Sequence, residues 1–167
     1  MATRSYELLP RELLEALGTL LVSFSELEES LHFAIAFTFA PAEQRAYCLT
    51  AGLPFRTLVE KFGALYHDLP RRKVTSEDVT SFCAVLNTLN EQRNQLVHAI
   101  WLSGEGDAVH RTSRRATPKQ GLHERSEPVN AAEVLALARK CDDTESTLFT
   151  YVLAAGEPPT RASFASS

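Results

Sequence analysis

The stretch Asn90-Glu91-Gln92-Arg93-Asn94-Gln95-Leu96-Val97-His98-Ala99-Ile100-Trp101 decides how the rest of the chain is read. Apolar residues lead into it at Val79, Phe82, Leu86 and Leu89 and continue at Leu96 and Ile100. Alternating steps of three and four mark one face of a helix. The position after Leu89 on that face is Arg93, so a guanidinium stands where the pattern calls for an apolar side chain. Asn94 and His98, one turn apart, lie beside the seam. A permanent cation, an amide and an imidazole thus share the edge of an apolar surface. A half-buried charge is costly unless it has a partner or a task. The helix opens at Thr75 or Ser76, with Glu77 and Asp78 suited to its first turn, and is expected to run to about Leu102, before Gly104 and Gly106.

Three further long helices are expected. One starts near Pro10, runs to about Phe39, and carries the stripe Leu13, Leu17, Leu20, Phe24, Leu27, Leu31 and Ile35. Glu28 and His32 flank that stripe one turn apart, either as an exposed pair or with Glu28 orienting Arg93 or His98. A short helix, about 42 to 50, ends at Gly52. The next long helix begins at Pro54 and presents Phe55, Leu58, Val59, Phe62, Leu65, Tyr66 and Leu69, and Pro70-Arg71-Arg72-Lys73 follows as a basic turn. The last helix starts at Asn130, where Glu133 completes a capping box, and ends at Gly156. From Ser103 to Glu127 helical periodicity is lost and Gly, Ser, Thr and Pro accumulate. This segment reads as a long loop, or a weak hairpin with 107–110 as one arm. Its basic residues Arg111, Arg114, Arg115 and Lys119 are candidates to hold phosphate groups.

These expectations describe an all-α fold: an up-and-down bundle of four to five helices, with a long loop between the last two. One domain spans 1–155, and 156–167 forms a disordered tail. The net charge of −4 excludes a globally basic nucleic-acid binder, so any RNA site is a local patch. Cys48, Cys83 and Cys141 are far apart and show no metal-ligand spacing, so neither a zinc site nor a disulfide framework is expected, and no metal or cofactor. The first residues lack a signal-peptide apolar run, and no stretch approaches the roughly 18 uninterrupted apolar residues of a membrane span. A cytoplasmic location without membrane contact is expected.

Arg-Asn with His four residues after the Asn, near the end of a long helix, resembles the signature of the HEPN superfamily. The bare Arg-x4-His spacing is weakly specific; the context carries the resemblance, and outside the motif the likeness is one of helix order and apolar pattern. The resemblance implies a metal-independent endoribonuclease, of toxin or antiphage-effector type, that acts as a homodimer with two motif helices facing across a cleft. Carried onto this sequence, Arg93 is the phosphate-binding residue, His98 the general acid/base and Asn94 the polar residue beside the arginine. RNA, such as tRNA or mRNA, is the implied substrate, and an antitoxin or defence-system protein the implied partner. HEPN toxins controlled by a nucleotidyltransferase often carry Tyr two residues after the His. Ile100 stands there, so control by tyrosine adenylylation at that site is not expected. The residues support this chemistry: RNA supplies its own 2′-OH nucleophile, histidine exchanges protons near neutral pH, and arginine grips phosphate oxygens through paired hydrogen bonds. The alternative reading is a non-catalytic HEPN-like module that dimerises and binds a partner protein or nucleotide.

Overall fold

The computed structural model describes residues 9–40, 42–68, 74–103, 109–117 and 121–155. Side chains at 68, 103, 113–117, 121–122 and 155 are not among those described. The basic turn at 70–73 and the tail at 156–167 lie outside the described residues. Five helices, α1 (Arg11–Phe37), α2 (Glu43–Thr50), α3 (Phe55–Asp68), α4 (Ser76–Val97) and α5 (Ala131–Ala155), dominate them. The expected predominantly α-helical class therefore holds. No helix among the described residues is long and apolar enough to cross a membrane.

The segment between the last two helices departs from expectation. Instead of a long loop it forms an antiparallel sheet of β1 (Ile100–Ser103), β2 (Val109–Thr117) and β3 (Gly121–Pro128), in that order; the hairpin alternative comes nearer, since Val109 and His110 of its expected arm open β2. Trp101 stands opposite Arg111, and Arg111 opposite Glu127. α4 accordingly stops at Val97 rather than near Leu102. Ile100 satisfies the helical seam and a strand equally well; pairing with Thr112 in β2 decides for the strand. β3 (Gly-Leu-His-Glu-Arg-Ser-Glu-Pro) has one large apolar residue, so it shows no hydrophobic alternation to read. It is held by cross-strand polar pairs, among them Thr112 Oγ1 donating to Ser126 Oγ at 3.2 Å and the ion pair of Arg111 with Glu127.

The chain divides into two compact units. The first contains α1 up to Phe24, α4 from Glu91, the sheet, and α5 up to Cys141. Its buried residues include Leu13, Leu20 and Phe24 from α1, Leu96 from α4, Val109 and Thr112 from β2, and Val134, Leu137 and Cys141 from α5. The second contains α1 from Ser25, α2, α3, α4 up to Asn90, and α5 from Asp142. There the stripe continues through Leu27, Leu31 and Ile35, all buried with Leu58, Phe62, Tyr66, Val79 and Leu86. Tyr66 is fully buried and its hydroxyl donates to the carbonyl of Ala34 at 3.0 Å, so the polar atom is satisfied. Gly52 ends the α2 turn at φ 73°, a conformation other residues adopt with strain.

The caps follow the sequence. At α4, the Asp78 N–H donates to Thr75 Oγ1 at 3.1 Å and the Thr75 N–H donates to Asp78 Oδ2 at 2.8 Å. The Thr75 N–H, together with the Thr75 hydroxyl that also donates to Asp78 Oδ2 at 2.7 Å, favours the carboxylate and holds the Asp78 carboxyl below its usual range. At α5, the Glu133 N–H donates to Asn130 Oδ1 at 2.9 Å, and Glu133 Oε2 accepts from the Asn130 N–H at 3.4 Å. Asn130→Ala removes the shorter bond and is expected to lower stability by about 1 kcal/mol, read as a reduced melting temperature.

Candidate functional site

Arg93 lies on α4 at the position where the apolar seam is interrupted, in the first unit. It is half-buried, and its guanidinium carbon sits 4.9 Å from the centroid of the Phe24 ring. The cation thus takes the place of an aliphatic side chain by lying against an aromatic face. Nη1 donates to Oδ1 of the adjacent Asn94 at 2.8 Å, which fixes the fork's orientation. Nε is buried and has no hydrogen-bond partner among the described residues. A buried N–H left without an acceptor is uncommon and costs the desolvation of that group. Phe24 was legible as a member of the α1 stripe; its place beneath the guanidinium was not.

His98 is exposed and falls one residue past the end of α4. Its backbone N–H still donates to the carbonyl of Asn94 at 3.0 Å, so the last helical turn positions it. Among the described residues no hydrogen bond joins Arg93 to His98. At about 100° of rotation per residue the two lie roughly 140° apart around the helix. Val97, Ile100 and Leu102, close to it in the sequence, are apolar yet exposed by 37%, 42% and 47%.

Glu28 is half-buried on α1 and belongs to the second unit; its supporting role stands on the sequence alone. Its neighbour His32 has Nδ1 2.9 Å from Oγ1 of the buried Thr50. Of the basic candidates, Arg111 is half-buried and already engaged. Nη2 donates to Glu127 Oε2 at 2.7 Å and Nη1 to Gln95 Oε1 at 3.4 Å. Arg125 also pairs with Glu127. Arg114 and Arg115 lie on β2 opposite Glu124 and His123, with side chains outside those described, and Lys119 lies outside the described residues.

The Arg111 hydrogen bond, assisted by both guanidinium charges, holds the Glu127 carboxyl below the usual carboxylate range. A depressed folded-state pKa gives stability that is present above the unfolded value and lost as pH falls through the folded one. Arg111→Ala should therefore move the Glu127 titration upward toward the ordinary range in carboxyl carbon NMR, and destabilise the sheet at neutral pH more than in acid.

Comparison with protein-family models, with curated proteins and with solved structures returns no match for this chain.

Proposed function

We propose that this chain is a metal-independent endoribonuclease of the HEPN type, working as a cytoplasmic toxin or antiphage effector at a homodimer cleft. The observation that carries the reading is Arg93: a guanidinium on an apolar seam, laid over Phe24, steadied by Asn94, and keeping a buried Nε without an acceptor. A half-buried guanidinium whose orientation is fixed in this way suits the equatorial oxygens of a phosphorane, where charge develops and a preorganised donor acts most strongly.

His98, exposed at the end of the same helix, supplies proton transfer. The RNA 2′-OH gives its proton to one imidazole as its oxygen attacks the adjacent phosphorus. The 5′-oxygen leaves with a proton from the second copy's imidazole. The products are a 2′,3′-cyclic phosphate and a free 5′-hydroxyl. One chain offers a single Arg and a single His on different arcs of the helix, which is why a second copy completes the chemistry. The exposure of three apolar residues within five positions of His98, Val97, Ile100 and Leu102, supports this end of α4 and β1 being covered by that copy.

The test is incubation of total RNA and tRNA with purified protein in EDTA, with the fragment ends identified. Cyclic phosphate ends are expected; intact RNA contradicts the reading. Ile100→Asp places a charge among these exposed apolar residues. It is expected to shift the sedimenting species from dimer to monomer and to abolish cutting with it.

The second reading, a non-catalytic dimerising module that binds a partner protein or nucleotide, is favoured by the same Phe24 and Asn94 contacts, which a structural arginine also makes. It predicts a dimer without cleavage and Arg93 variants that lose stability rather than activity.

A further inference from the structure

Within the first unit, the end of α4, Arg111 of β2 and the first turns of α5 enclose a cleft of about 260 Å³. That is just below the roughly 300–1,000 Å³ of pockets for drug-sized ligands, and suits one flat heterocycle. We infer that this cleft is a nucleobase subsite that receives a single unstacked RNA base, adenine in preference.

The floor is aliphatic: Leu96, Val134 and Leu137 are buried and line it. A base extruded from its stack is commonly held between apolar side chains and read along its edge by hydrogen bonds. The polar groups at this edge come from Gln92, Gln95, Glu133 and Lys140. Gln95 has its side-chain oxygen engaged by Arg111, so it offers a ligand its N–H donors. Gln92 is exposed and presents a carboxamide with one acceptor and one donor group. Such an amide pairs in two places with the 6-amino group and neighbouring ring nitrogen of adenine. The Glu133 carboxylate adds a second acceptor for the amino group. Arg111, paired with Glu127 and lining one wall of the cleft, fixes Gln95.

The subsite rests on the ribonuclease reading in one respect. Gln92 immediately precedes Arg93, so cleft and cation share one turn of α4, about 100° apart. A strand whose phosphate meets Arg93 then has a neighbouring base at the cleft.

The test is protein-observed NMR titration with AMP, GMP, CMP and UMP, on the full chain and on Ala136→Trp. Ala136 is exposed on α5 and lines the cleft, so an indole there fills it without entering the core. AMP is expected to shift the Gln92, Leu96 and Leu137 signals and to bind about tenfold more tightly than UMP, the usual order for a bidentate base contact. Both Ala136→Trp and Gln92→Ala should abolish that preference. Selective AMP binding lost in these variants supports the subsite whether or not RNA is cut. Equal response to the four nucleotides, or responses indifferent to the indole, overturns it even if RNA is cut. Where RNA is cut, mapped sites should lie next to adenine for the wild type and become indiscriminate for Ala136→Trp. Base-blind cutting by the wild type overturns the link between cleft and Arg93.

Discussion

His98→Ala is expected to lower the rate of RNA cleavage by about 10²–10⁴-fold, the range for loss of a general acid/base, with unchanged helicity and melting temperature. The structural half of that expectation follows from where His98 lies. It is exposed, one residue beyond α4, and ties into the fold through a backbone N–H that alanine keeps. Surface substitutions of that kind stay within about 0.5 kcal/mol. A large fall in activity without a fall in stability separates a proton-transfer role from a capping role. His98→Gln, which can hydrogen-bond but cannot shuttle a proton, should be as inactive as His98→Ala.

Arg93→Ala is expected to cost about 10²–10³-fold in turnover, the scale for removing one preorganised donor to a transition state. Here stability must be watched, because the guanidinium also covers Phe24. Arg93→Met separates the two roles. Its flexible thioether can lie on the Phe24 ring and relieves the buried, unpartnered Nε, so melting should be unchanged or slightly raised. Cleavage should still be lost. Arg93→Lys keeps the charge but not the planar fork, and should recover little activity. If Arg93→Met cuts RNA normally, the arginine is a packing residue and the catalytic assignment fails.

The long helices were legible because their seams repeat over several turns: Leu13 to Ile35 in α1 and Val79 to Leu89 in α4 are buried as the spacing requires, Leu17 alone being only partly so. The α4 and α5 starts were legible because Thr75–Asp78 and Asn130–Glu133 are local interactions. The sheet was legible only as a weak hairpin around 107–110, because the pairs that hold it are separated in sequence. Arg111 and Glu127 are sixteen residues apart, and only the strand register makes them neighbours. Residues 109–128 are rich in Arg, Ser, Thr and Glu, so the segment resembled a solvated loop although its backbone groups pair in a ladder. The end of α4 was misjudged for a related reason: local periodicity carries no information about the strand waiting to pair with Ile100. Arg93 stood out in the sequence as a break in a pattern. Its aromatic support and the cleft beside Gln92 depend on packing between separate elements, which no local pattern encodes.

The central claim is most directly tested by the single-turnover rate of cleavage of one RNA oligonucleotide in EDTA, for wild type and His98→Ala side by side. The wild type is expected to cut with a 2′,3′-cyclic phosphate product, and the variant at a rate at least about 10²-fold lower. Equal rates for the two proteins would contradict it.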